Sequence, residues 1–299
     1  MSLVQRELTV ELTDPVLIVA MEGWIDSGMG AANAVSALKA GASPELVATF
    51  DADRLLDHRA RRPIMHLVNG LITNLAWPSI ELLAGTDAHG HDLLLLVGAE
   101  PDFEWRAFSE AVLDLALEFG CRMVVGLGAY PAPVPHTRDV LLSVTTSSAK
   151  LSDDLHGYVR GTLDVPGGIQ TVIDLDANRA GLPALGLWAQ VPHYVSTMPY
   201  PAASLALLDG LADVAGIDAH RGQLAADAAA TRIRIDELVA ENPQHQAMVT
   251  QLEEFIDQGL TEGPVDAPTI DFDRIPSGDE LAAELQEYLR QRPDDDPGR

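Results

Sequence analysis

The tripeptide Val-Pro-His occurs twice in this chain, each time shortly after Gly-Leu-x-Ala. Gly126-Leu127-Gly128-Ala129 leads to Val134-Pro135-His136, and Gly186-Leu187-Trp188-Ala189 leads to Val191-Pro192-His193. Each apolar run has the length and the bordering turn residues of a buried parallel strand. Two such strands lying parallel in one sheet would release His136 and His193 at the same carboxyl edge, where open α/β sheets build their sites. The repeat says where a site would be, not what it does.

Strand and helix signals alternate around this pair. Residues 15–21, 46–50, 64–68, 93–97, 123–127, 141–146 and 185–189 read as strands. Segments 71–76 and 79–83, parted near Trp77-Pro78, read as antiparallel strands at a sheet margin. A helix capped by Asp26 or Ser27 should run to Gly41 as its C-terminal glycine. Trp105, Phe108, Val112, Leu115, Ala116 and Phe119 keep helical spacing up to Gly120. Further helices are expected over 147–155, near 174–180 and over 201–215. The alternation predicts an α/β fold of three α/β/α layers with a mostly parallel sheet over residues 1–217. Beyond that the pattern is helical only: an appendage over 218–292, with a capping box at Ser277-Gly278-Asp279-Glu280, and a disordered acidic tail over 293–299.

Nineteen basic against 45 acidic residues give a net charge of −26. Such a surface repels nucleic acid and anionic membranes, so neither is expected as a partner. The first residues are charged where a signal peptide would be apolar, and a cytoplasmic protein is expected. Cys121 is the single cysteine and opens an apolar run, which favours a buried structural thiol over a nucleophile. One basic cluster, Arg54, Arg59, Arg61 and Arg62, stands out. It either pairs with the interleaved Asp51, Asp53 and Asp57 or, through Arg59 and Arg62, meets another subunit or an anion.

The turn after the first strand holds Glu22, Gly23, Trp24, Asp26, Ser27 and Gly28. Gly23 and Gly28 have the spacing of a phosphate loop, but Met29-Gly30 replaces the Lys-Ser/Thr pair that such loops need. The dinucleotide fingerprint fails at Asn33. A helix start here could bind an anion through backbone N–H groups, or Asp26 could occupy that end itself. Glu100 follows another core strand. Glu22, Glu100, His136 and His193 are therefore the candidate acid–base groups, with Thr137, Arg138 and Tyr194 as further ligand contacts. The competing reading is that these groups satisfy one another. No nucleophile elbow or metalloprotease motif is present. The His89/His91 pair reads as a solvated hairpin, so no metal and no cofactor is expected.

The segments 21–28, 57–63, 135–138 and 186–194 together resemble the proteasome assembly chaperone family of the second type, over residues 15 to about 215. The resemblance implies a nucleoside-phosphorylase/hydrolase-like core and a tendency to self-assemble, as a trimer or other small ring. It also implies proteasome subunits as partners. The resulting expectation is a non-catalytic assembly or scaffold protein. The alternative is a hydrolase or phosphorylase acting on a small nucleoside-like or anionic substrate.

Overall fold

The computed structural model describes residues 2–258, apart from 24, 160, 161 and 163. All of these lie in one compact unit, residues 1–261. The predicted capping box and acidic tail lie outside the described residues, as does Trp24.

The strands are β1 (Val4–Arg6), β2 (Val16–Glu22), β3 (Glu45–Phe50), β4 (Ile64–Val68), β5 (Leu71–Ala76), β6 (Ile80–Thr86), β7 (Asp92–Ala99), β8 (Met123–Ala132), β9 (Leu142–Thr145) and β10 (Ala184–Pro192). The α-helices are α1 (Gly30–Ala42), α2 (Ala52–Leu55), α3 (Trp105–Glu118), α4 (Ala149–Asp154), α5 (Ile169–Arg179), α6 (Pro201–Ala215), α7 (Leu224–Ala240) and α8 (Pro243–Asp257).

Eight strands form one sheet in the order β1-β3-β6-β7-β2-β8-β10-β9. The central strands β7, β2, β8 and β10 are mutually parallel. Antiparallel pairings flank them: β6 on β7, β3 on β6, β1 on β3 and, at the other edge, β9 on β10. Strand alternation divides the apolar side chains between two faces. Val16 and Ile18 of β2 face α1 and α6, whereas Leu17 and Val19 face α3 and α5. Leu94, Leu95, Leu96 and Phe108 have no exposed surface. Ile235 of α7 joins the α1/α6 side.

Three expectations need correction. Residues 71–76 do not pair with 79–83. They pair with β4 in a separate two-stranded hairpin, while β6 enters the main sheet. Apolar alternation marks a strand but does not name its neighbour. Gly41 does not end α1, which continues to Ala42 and stops at Ser43 in the left-handed region (φ 44°). Gly41 is small because His220 lies against it, with Cβ 3.3 Å from where a side chain would begin. The helix expected near 174–180 starts earlier, at Ile169, because its cap comes from a distant part of the chain.

Candidate functional site

The two Gly-Leu-x-Ala runs are adjacent parallel strands in register, Gly126 opposite Gly186 and Ala129 opposite Ala189. Glu22 ends β2, and Glu100, His136 and His193 follow the carboxyl ends of the parallel strands β7, β8 and β10. The four loops therefore share one edge, but hydrogen bonds sort their side chains into separate structural tasks.

Glu100 caps α5. Its Oε1 accepts the Ile169 amide at 2.7 Å, placing a carboxylate at the positive end of the helix. Its own amide donates to the Glu22 carbonyl at 2.7 Å. Gly23 (φ 152°) leaves room for it, since a Cβ there would lie 2.9 Å from Glu100 Oε2. Glu22 itself is exposed. Beside them, Arg61 donates to Asp102 at 2.5 Å. Burial works to raise the Asp102 pKa, but bonds from the Asp57 amide and Arg61 outweigh it, and the net shift is downward. Arg54 pairs with Glu104. Two of the four arginines, Arg54 and Arg61, thus find their ion-pair partners on the β7–α3 loop, and Asp51 adds to the negative field at Arg54. Arg59 and Arg62 are exposed. Among the described residues neither guanidinium meets a carboxylate.

Asp26 caps α1, accepting the amides of Ala31 at 2.7 Å and Ala32 at 2.9 Å. Its carboxylate fills the helix end that an external anion would need. Burial raises its pKa more than these amides lower it. The neutral amide of Asp26→Asn should therefore cap nearly as well, whereas Asp26→Ala should cost about 1–2 kcal/mol in urea unfolding. Ser27 is buried. Gly28 (φ 64°) is clamped by its amide to Ser196 O at 2.9 Å and by Tyr200 N to its carbonyl at 2.8 Å.

His136, Thr137 and Arg138 are consecutive, and each holds α7 or α8. The His136 amide donates to Tyr194 Oη at 2.8 Å. The tyrosine hydroxyl then donates to His136 Nδ1 at 2.7 Å, leaving Nε2–H to donate to Asp236 of α7 at 3.0 Å. Arg232, one turn earlier on α7, donates to the His136 carbonyl at 2.7 Å and to Asp236. Thr137 donates to Glu253 of α8. Arg138 reaches Glu253 at 3.1 Å and Asp257 at 2.9 and 2.7 Å. His136 is 2% exposed, and burial pushes its pKa below the usual imidazole value. Burial likewise raises the Tyr194 hydroxyl to about 12. These helix partners escaped the sequence reading. The paired spacings Arg232/Asp236 and Glu253/Asp257, each four residues apart, were the available signal.

The shared edge therefore contains two differently placed histidines: His136 is buried and fully bonded, whereas His193 is exposed with its ring 5.3 Å from that of Tyr194. A groove of about 840 Å³ lies beside His136, lined in part by His136, Arg138, Leu142, Tyr158, Tyr200 and Arg232. Tyr158 donates to Asp213 at 3.0 Å, so several polar groups facing the groove are already engaged. Cys121 is buried and its thiol is pushed up to about 12. Asp87, two residues before His89 and four before His91, accepts both their amides, the Asp218 amide and the His91 ring. Burial opposes ionisation, but these bonds bring its pKa down to about 2. Among the described residues no three His, Cys, Asp or Glu side chains are grouped to hold a metal, and no helix is long and apolar enough to cross a membrane.

Residues 20–239 match the PAC2 family. A Corynebacterium glutamicum protein of unknown function is 32% identical with a TM-score of 0.81, covering 86% of this chain and 98% of its own. A proteasome-assembly chaperone homologue from Mycobacterium tuberculosis is 33% identical with a TM-score of 0.72, covering 78% and 99%. PbaB, an archaeal proteasome activator from Pyrococcus furiosus, is 16% identical with a TM-score of 0.60 over 79% and 97%, a likeness of fold alone. No curated protein matches.

Proposed function

The chain belongs to the PAC2 family, and from that membership we propose that it is a non-catalytic, assembly-chaperone-like scaffold protein of the cytoplasm. In this reading it forms a homo-oligomer and engages proteasome-type subunits. The observation that carries the proposal is the fate of the polar residues at the carboxyl edge. Asp26 and Glu100 cap helices, and His136, Thr137 and Arg138 are bound to α7 and α8. A general base or anion anchor must be free to meet a substrate; these groups are occupied by the fold. The M. tuberculosis relative, described as a proteasome-assembly chaperone homologue, supports the class of partner. A three-layer, nucleoside-phosphorylase-like reading of the core belongs to the same proposal, as does a division into a sheet domain and a helical appendage.

Affinity capture with proteasome core subunits, read by native mass spectrometry, should recover the chain in complexes with assembly intermediates. Nucleosides, phosphate and nucleotides should leave its melting temperature unchanged. Failure to capture any core subunit, together with a ligand-dependent rise abolished by His193→Ala, would favour the hydrolase or phosphorylase alternative.

A further inference from the structure

The groove beside His136 is lined by α6, by α7, by residues 138–142 at the entry to β9 and by residues 156–158. Ala202, Leu205 and Ala206 of α6 and Leu142 of β9 make part of the lining apolar. Helix and strand approach closely because residue 210 is glycine: a Cβ there would lie 2.6 Å from Leu142 Cδ1. At about 840 Å³ the groove stands toward the upper end of the ~300–1,000 Å³ typical of ligand clefts. Its charges do not balance. Arg138 is matched by Glu253 and Asp257, and Arg232 by Asp236 and the His136 carbonyl. Asp209 is matched by Arg221. Asp139 and Asp213 are left over. Both are exposed, and among the described residues neither meets a cation, Asp213 accepting the Tyr158 hydroxyl instead. Carboxylates beside an apolar wall and the rings of Tyr158 and Tyr200 suit a cation carried on an apolar stem. An anion finds no free partner, since both arginines of the lining are engaged.

We propose that this groove holds a short basic segment of a partner protein. Lysine or arginine heads pair with Asp139 and Asp213, while their stems and the apolar residues between them lie against Leu142, Leu205 and the tyrosine rings. The two halves of the lining together define the ligand. A polyamine satisfies the carboxylates and leaves the apolar wall bare, and a neutral apolar ligand does the reverse. A segment ending in its own carboxylate would face Asp139 with no free cation to receive it, so an internal or amino-terminal stretch fits. The net charge of −26 draws such a segment in from a distance and repels nucleic acid. The inference rests on the scaffold reading above and gives the chemistry of what the scaffold grips.

Fluorescence anisotropy of the full chain with a labelled, acetylated and amidated peptide of alternating lysine and leucine tests it. The native chain should bind this peptide and ignore the version with glutamate in place of lysine. Serine in place of leucine should weaken binding. Asp139→Asn with Asp213→Asn should weaken it about ten-fold or more, as expected when charge-assisted bonds are lost. Ala206→Trp fills the groove without changing its charge and should block the peptide as well. Glu110→Gln with Asp114→Asn, on exposed positions of α3 across the sheet, should change nothing. An equal loss in that α3 variant would show general attraction to an acidic surface and overturn the groove. Equally tight binding of the serine peptide, with full displacement by spermine, would assign the site to a polyamine and overturn the protein segment. A native chain that binds no peptide overturns the inference too. Capture of proteasome core subunits is read separately: retained capture by the Asp139→Asn, Asp213→Asn variant leaves the scaffold reading standing with another contact surface, whereas peptide binding by a native chain that captures no subunit removes the scaffold reading alone.

Discussion

Gly98→Ala should leave little folded protein. Gly98 lies near the end of β7 in the centre of the sheet, at φ 111°. A Cβ there would overlap the carbonyl oxygen of Ser79 and lie 3.0 Å from Ile80 Cα. Both are backbone atoms, so no rotamer change relieves the contact. Ser79 O also accepts the Ala99 amide at 3.1 Å, and moving it breaks the ladder between β6 and β7. Backbone strain of this kind costs about 1–3 kcal/mol before the clash is added, and a total beyond about 4 kcal/mol is expected. The melting temperature should fall by roughly 10 °C or more, or the protein should be recovered only as aggregate. Gly90→Ala is the control. Gly90 also has positive φ, 86°, but no neighbour within 4 Å. It should lose only about 1–2 kcal/mol from its backbone conformation. Equal losses at the two positions would remove the steric argument.

Removal of the His136 ring should loosen α7 and α8 while sparing the sheet. His136→Ala leaves Tyr194 Oη without its Nδ1 acceptor, deprives Asp236 of a donor and opens a void at a buried site. A loss of about 2–4 kcal/mol is expected, with faster amide exchange over 224–257 than over β2, β7 and β8. The same residue gives a pH dependence of definite sign. Burial lowers its folded pKa, so the unfolded chain binds the proton more readily. The stability it contributes is complete above the ordinary imidazole value near 6.5. It falls as pH drops below that value and levels off once the lower folded pKa is passed. Urea unfolding of native protein and His136→Ala at a series of pH values isolates this part. The difference between them should shrink toward acid. A pH-independent difference would show that the ring is not held neutral.

The sheet was largely legible because its information is local. Gly126-Leu127-x-Ala129 and Gly186-Leu187-x-Ala189 announce two buried strands, and the repeated Gly-Leu-x-Ala runs pair residue for residue, although the Pro-His ends follow at different distances. The cap of α1 was legible too, since Asp26 lies five residues from the amide it accepts. The α5 cap was not. Glu100 and Ile169 are 69 residues apart, and nothing in either local sequence names the other. The same distance barrier hid the clamp. His136 reads as an acid–base group, and Thr137 and Arg138 as ligand contacts, because they are polar and emerge at the right edge. Their partners Asp236, Glu253 and Asp257 lie 100 to 119 residues away. Strand identity in β4 and β5 could be read, but their separation from the sheet could not. That outcome depends on which surfaces remain uncovered once every other element has packed.

Three adjacent side chains on one loop hold both α7 and α8, and this arrangement matters under load. Tension applied to the chain beyond residue 258 meets the bonds of Arg138, then Thr137, then His136, before it reaches the interior strands. Extraction by a translocating motor would therefore begin with a low-force peeling of α8 and α7, followed by a pause. In an optical trap the two events should separate, and Arg138→Ala should shorten the first while leaving the second unchanged.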